Sequence, residues 1–262
     1  MRMWNFDFLN ILALLTIFSG IVLGIDWIWR HHRGRKPDTS ETRPWLIEQA
    51  HAFFPVLLIV LLFRAFCFQP YRVPSGSLEP TVLPGDFMIV SQFDYGLRLP
   101  LWDIFLWQGH EPKRGQIVLF RWPVNPEVTF VKRLVGLPGD HIRYVNKVLY
   151  VNGKEATQRD LGAFDEILND GTTQRVEQYE EDLLGVRHRI LVNPDRPGHD
   201  FGDIVVPPGS YFMVGDNRDN SDDSRDWGFV SRAELIGRAR FVWMSWNTVH
   251  SGVRWNRIGI GL

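Results

Sequence analysis

Two uninterrupted apolar blocks lie near the start of the chain, and a different periodicity follows them. From Phe8 to Ile25 no residue carries a charge, and about 18 such residues approach the length a helix needs to cross a hydrocarbon core. The pattern predicts a first membrane helix. A cleaved leader is the rival reading, but Arg2 is the only basic residue ahead of the block and no small-x-small site follows it. The second block, Ala52 to Phe63, is shorter, and alone it would suit a core helix as well as a span. If Arg64 reaches toward headgroups, the helix can continue through Ala65, Phe66, Cys67 and Phe68, until Pro70 discourages it. Between the blocks lie Arg30, Arg33, Arg35, Lys36 and Arg43, and a short loop rich in Lys and Arg is retained in the cytoplasm. The N-terminus and everything after Pro70 are then expected to face outward.

Beyond residue 70 the chain breaks into short runs of Val, Ile, Phe and Tyr separated by Pro-Gly and Asn-Gly pairs, the signature of strands and tight turns. Leu83-Pro84-Gly85-Asp86 leads into Phe87 to Val90, Leu137-Pro138-Gly139-Asp140 into His141 to Val145, and Pro208-Gly209 into Tyr211 to Val214. Each pair suits a type II turn, with Pro second and Gly third. Ile117 to Trp122, Thr129 to Val135, Val148 to Val151 and Ile236 to Trp246 read as further strands. The prediction is a mainly β protein: an antiparallel β-rich domain over 70–151 and 204–262, preceded by spans within 1–29 and 46–69 that flank a basic loop, 30–45. The polar stretch 152–203 reads as an inserted subdomain. Leu97 to Trp107 mixes Leu, Pro, Trp, Ile and Phe with few charges, which suits either a loop dipping into a membrane interface or a segment of the core.

Composition narrows the chemistry. The formal net charge is -1, so no basic excess argues for a nucleic-acid partner. The single cysteine, Cys67, sits between Phe66 and Phe68; it forms no internal disulfide and reads as apolar filler rather than a nucleophile. His110, His141, His188, His199 and His250 show no HExxH-like spacing, so no metal and no other cofactor is expected.

Three polar clusters stand out. Pro74-Ser75-Gly76-Ser77-Leu78-Glu79-Pro80-Thr81 is a small loop able to expose a hydroxyl and aim a neighbouring N–H at the same reacting atom, although Ser-Gly-Ser is also common in ordinary turns. In Phe130-Val131-Lys132-Arg133-Leu134-Val135-Gly136, Lys132 interrupts a strand otherwise fit for burial. A lysine in apolar surroundings is costly as an ammonium and can serve as a general base, whereas most strand lysines face solvent. The third cluster runs from Gly215-Asp216-Asn217-Arg218 through Ser221 and Asp223 to Arg225. An EF-hand read from Asp219 would have Ser224 in place of its turn glycine and no glutamate at its end, so a network of Asx and Arg hydrogen bonds fits better.

In this order, after two membrane segments, the three clusters resemble the sequence boxes of bacterial type I signal peptidases over roughly residues 52 to 246. The resemblance implies an antiparallel β-rich catalytic domain of signal-peptidase type, held on the outer side of the bacterial inner membrane, that removes signal peptides from exported preproteins. It implies Ser77 as nucleophile and Lys132 as general base, with the Ser75 hydroxyl and the Ser77 N–H as the oxyanion hole. Ser221 would orient the lysine, and Asp216, Arg218, Asp223 and Arg225 would shape the site. Tyr71, Val73 and Val131 become candidates for pockets that take small substrate side chains. Leu78 stands where Met is common in that family and Val82 where Leu is common, and the disulfide of some members is missing. The implied mechanism requires Ser77 and Lys132 to approach hydrogen-bond distance, roughly 2.6 to 3.2 Å. Two other readings share parts of the pattern: a LexA-like Ser/Lys autoprotease, and a non-catalytic membrane-anchored peptide-binding protein. Two membrane segments without a DNA-binding module argue against the first, and the joint presence of Ser77, Lys132 and Ser221 against the second.

Overall fold

A computed structural model describes residues 8–32, 44–66, 68–98, 105–168, 172–247 and 251–262. Arg33, Arg35, Lys36, Arg43, Cys67, His250 and the side chain of Arg64 lie outside them, as does the middle of the Leu97 to Trp107 segment. The chain divides into two units. One contains the helices together with Gly96–Gly109, and the other Gln69–Tyr95 with His110–Leu262.

Helices α1 (Phe8–His32) and α2 (Trp45–Phe66) are 25 and 22 residues long. At about 1.5 Å per residue each covers the roughly 30 Å of a hydrocarbon core. Leu15, Phe18, Ile21, Ile25 and Trp27 of α1 and Phe53, Val56, Ile59 and Phe63 of α2 are exposed, which in water would be a heavy cost and in lipid is none. The two helices meet where Gly20 leaves room for Phe54: a Cβ on Gly20 would lie 3.1 Å from the ring. Asp26 pairs with Arg30 one turn on, at 2.8 Å. Pro55 lies inside α2 without ending it, as neighbours allow in membrane helices.

Strand β1 (Phe68–Arg72) follows, then β2 (Asp86–Ser91), and a short antiparallel pair, β3 (Gly96–Arg98) with β4 (Phe105–Gln108). This pair groups with the helices, and Leu106 and Trp107 are exposed, so this end of the segment is not core. Next come β5 (Ile117–Arg121), β6 (Thr129–Gly136), β7 (His141–Val145), β8 (Val148–Val151) and β9 (Lys154–Glu155). The stretch expected as an insert holds β10 (Thr157–Ile167), β11 (Thr173–Leu183) and β12 (Val186–Val192), a separate antiparallel sheet. Strand β13 (Phe201–Val205) returns to pair with β7. Strands β14 (Ser210–Val214), β15 (Val230–Ser231), β16 (Leu235–Asn247) and β17 (Gly252–Val253) complete the chain, with a single helical turn, α3 (Ser224–Trp227), before β15.

The large sheet runs β1-β2-β16-β5-β6-β14-β15. Its long strand β16 pairs with β5 from Leu235 to Arg238, with β2 from Arg238 to Ser245 and with β17 at Trp246 and Asn247. The Pro-Gly turns form as the residue types dictate: Gly85, Gly139 and Gly209 have φ of 85, 85 and 69°, and Asp86, Asp140 and Ser210 donate back to Leu83, Pro207's equivalent Leu137, and Pro207 itself at 3.0, 3.0 and 3.1 Å. Strand β6 lies between β5 and β14 and is buried from Val131 to Gly136. Its Val131 joins a cluster with Val73, Leu78, Val82 and Ile117, and its Leu134 one with Val118, Phe120, Tyr211 and Met213. Lysine and arginine at 132 and 133 therefore sit inside the protein.

Candidate active site

Lys132 pairs across to Val118 of β5 and is 4% exposed. Burial lowers its pKa to about 8, against the opposing pull of Asp223 and Asp222. Its Nζ lies 5.6 Å from the centre of the Phe130 ring and donates to Ser221 Oγ at 3.0 Å. Ser221 Oγ in turn donates to Asp223 Oδ2 at 2.7 Å. A hydroxyl has one proton, and here it is committed to the carboxylate, so Ser221 can only accept from the lysine. The bond thereby orients the amine and leaves the nitrogen lone pair of the neutral form free to point elsewhere.

The serine loop is pinned from beneath. Leu78 and Val82 are fully buried, and Glu79 N–H bonds Gly76 O at 3.0 Å while Val82 N–H bonds Leu78 O at 3.0 Å. The two residues that differ from the family's usual pattern are thus core residues, packed with Val73 and Val131. Ser77 is 8% exposed, and its Oγ lies 3.5 Å from that of the exposed Ser75. Glu79, also buried, has its pKa raised to about 7, first by burial and then by the charge of Glu166.

Gly215 brings the serine loop against the third cluster. A Cβ there would stand 2.2 Å from Ser221 Oγ and 2.5 Å from Ser77 O, so no side chain is compatible with this approach. Asn217 N–H bonds Ser77 O at 3.1 Å, closing the contact. The direct Ser77–Lys132 hydrogen bond expected from the sequence is not formed. Among the described residues, Lys132 donates to Ser221 and Ser77 Oγ keeps Ser75 as its partner. In a site without substrate such bonds are often long or poorly aligned, and they tighten when substrate is in place.

Around this centre the ions are paired and buried. Arg133 grips both oxygens of Asp216 at 2.7 Å, and Thr81 donates to the same carboxylate at 2.6 Å. Burial pushes the Asp216 pKa upward, but Arg133 outweighs it and the group stays below the usual carboxylate range. Asp223 likewise is kept ionised against burial by Arg225, which binds it at 2.8 Å through both Nε and a terminal nitrogen and also bonds Arg218 O at 2.6 Å. Asp223 also caps α3 and accepts Gly215 N–H at 2.9 Å. Arg218 pairs with Glu181, and His188 lies 3.3 Å from Glu181 and 3.9 Å from Asp216. Despite burial, these partners hold Glu181 at a pKa of about 2.

The structure thus brings Ser75, Ser77, Lys132, Ser221, Asp216, Arg218, Asp223 and Arg225 into one neighbourhood. Val73, Val131 and Tyr71 form an apolar cluster beside it, with Tyr71 OH donating to Thr129 O at 3.2 Å; Val73 is closed off from solvent. Sequence reasoning missed Thr81, Arg133, Glu166, Glu181, His188 and Gly215. Arg133 carried a usable signal, a second cation in a strand otherwise fit for burial. Glu166, Glu181 and His188 carried none, since they lie in a polar stretch where such residues are ordinary.

The family profile described as "Signal peptidase, peptidase S26" matches residues 46–246. A signal peptidase I of Pseudomonas fluorescens is 43% identical over 78% of this chain and 74% of its own length. One from Pseudomonas aeruginosa is 41% identical with the same coverage, and one from Buchnera aphidicola is 29% identical over 95% of this chain and 98% of its own. The matched stretch takes in α2 and the strands that carry the serine loop, the buried lysine and the ion-paired loop. This chain belongs to the signal peptidase family, peptidase S26, as a type I enzyme.

Proposed function

We propose that the protein is a membrane-anchored serine endopeptidase that cuts signal peptides from exported preproteins through an acyl-enzyme, with Ser77 as nucleophile and Lys132 as general base. The observation that carries this reading is the buried Lys132, its pKa lowered to about 8, oriented by a serine whose proton is committed to Asp223. Such an amine is substantially neutral near pH 8 and can take a proton.

As substrate enters, Ser77 Oγ attacks the scissile carbonyl carbon and its proton passes to Lys132 Nζ. The negative charge formed on the carbonyl oxygen is met by the Ser75 hydroxyl and the Ser77 N–H. Collapse of the tetrahedral adduct breaks the C–N bond, and the ammonium of Lys132 returns the proton to the departing amine. Water then attacks the Ser77 ester, Lys132 takes its proton, and that proton restores the serine hydroxyl as the acid leaves. No histidine is needed, because the lysine performs both transfers.

The two apolar helices and the basic loop between them support a multi-pass inner-membrane protein with its β unit on the outer side. The test is cleavage of a model preprotein by the full chain in detergent, with the cut site read by mass spectrometry. Wild type should cut after a small-x-small site; Ser77→Ala and Lys132→Ala should each abolish turnover, while Ser75→Ala should lose about 10²- to 10³-fold in kcat. A well-folded wild type that leaves every preprotein intact would favour the non-catalytic peptide-binding reading.

A further inference from the structure

The stretch 157–192, outside the three polar clusters, sends one carboxylate beneath the serine loop. Glu166, near the end of β10, is 3% exposed. It accepts from Asn217 Nδ2 at 2.6 Å and from Asn220 Nδ2 at 2.7 Å through the same oxygen, Oε1. Both bonds end on a carboxylate oxygen, an acceptor, so both amides turn their NH2 groups toward it. That choice propagates. The same Nδ2 of Asn217 also donates to Gly76 O at 3.2 Å, and the Asn217 backbone N–H holds Ser77 O at 3.1 Å. Asn220 N–H bonds Asn217 O at 3.1 Å, and its chain neighbour Ser221 orients Lys132. One carboxylate therefore fixes the loop that carries the lysine's partner and, through Asn217, the carbonyls on either side of the Gly76–Ser77 bond.

We propose that Glu166 is a positioning residue, clamping the Asn217–Asn220 loop against the serine loop so that Ser77 and Lys132 keep a common frame. This deepens the reading above and rests on Ser77 and Lys132 being the reacting pair. Its role is distinct from that of Glu181, which pairs with Arg218 and His188. A group that acts by alignment should affect turnover more than binding, because about 1 Å of misplacement can cost on the order of 10²-fold in rate.

The experiment uses the full chain in detergent, with Glu166→Ala, the isosteric Glu166→Gln, and Glu180→Gln as a control. Glu180 lies on the same hairpin but pairs with the exposed Arg159 at 2.9 Å. Glu166→Ala should lower kcat about tenfold or more with KM within about twofold. Glu166→Gln keeps an oxygen that can accept both amides but makes neutral, weaker bonds to them, so it should fall between Glu166→Ala and wild type, and the control should match wild type. Hydrogen exchange should quicken at the Glu79 and Asn217 amides in both Glu166 variants and not in the control. In a double-mutant cycle, Glu166→Ala and Asn217→Ala should be strongly non-additive in kcat.

The proposal is overturned if both Glu166 variants keep wild-type kcat and exchange, if activity falls only in step with the unfolded fraction, or if the cycle is additive. Should Glu166→Ala fail to fold, Glu166→Gln decides by the same measures. If wild type does not cut preproteins, the functional reading fails, and the exchange comparison still decides whether Glu166 clamps the serine loop.

Discussion

In the proposed mechanism a single lysine sets the working pH of this site. In the native protein Lys132 loses its proton near pH 8 rather than 10.5, so the neutral base accumulates as pH rises through about 8. Expected for wild type is a kcat/KM that climbs from pH 6 to 9 with a midpoint near 8. Asp222, exposed and close enough to favour the ammonium, should tune this: Asp222→Asn is expected to move the midpoint to lower pH, by a small amount because solvent screens the charge. A midpoint moving upward would contradict the electrostatic account. The sign for stability follows from the same shift. The unfolded chain binds the proton more tightly between about pH 8 and 10.5, so this lysine destabilises the fold below pH 8 and the penalty fades as pH rises through that window. Gly215 is the other decisive residue. Gly215→Ala puts a methyl where only 2.2 Å separates the site from Ser221 Oγ, and a loss of about 10²-fold or more in kcat is expected in a preprotein cleavage assay.

At the scale of elements, β6 shows how a central strand can carry two cations. Lys132 has a neutral hydrogen-bonding partner in Ser221 and a lowered pKa, whereas the Arg133 guanidinium is matched by both oxygens of Asp216 and by Gly115 O at 2.6 Å. Removing the guanidinium would leave the Asp216 carboxyl buried without its main counter-charge. Arg133→Ala should therefore destabilise the β unit by about 3–5 kcal/mol, read as a lowered Tm in thermal unfolding of the detergent-solubilised protein, with a drop no larger than that of a surface Arg→Ala change counting against the pairing argument. The sheet β10-β11-β12 has a related meaning. It is separate in hydrogen bonding from the large sheet, yet it supplies Glu166, Glu181 and His188 to the ground on which the catalytic loops rest.

For the whole molecule, the two units match two solvents. The helices expose Ile, Leu, Phe and Trp along their length, while the β unit encloses three apolar clusters of its own. In the proposed topology the basic residues between the spans stay in the cytoplasm, so a reporter that folds only outside it, such as alkaline phosphatase with its disulfides, should be active when fused after Leu262 and inactive when fused within residues 33–43. The reverse pattern would invert the topology drawn from the positive-inside rule.

Much of this was readable along the chain because the physics is local. A run of apolar residues without charge specifies a helix suited to lipid whatever surrounds it, and Pro followed by Gly specifies a turn with positive φ, which is why Gly85, Gly139 and Gly209 fall where the sequence puts them. The Ser75–Ser77 loop, Lys132 and the 216–225 cluster were legible as well, the last two as polar groups whose density is unusual for a strand and its following turn. What the chain alone left open are the partners. Lys132 finds Ser221 as its acceptor, and the Ser221 proton is committed to Asp223, which Arg225 keeps ionised. Glu166, Glu181 and His188 look like ordinary surface residues until the fold carries them under the site. Burial and pairing are properties of residues far apart in sequence, so the burial of Lys132 was foreshadowed by the strand it sits in, and its orientation and pKa were set only by the tertiary structure packed around it.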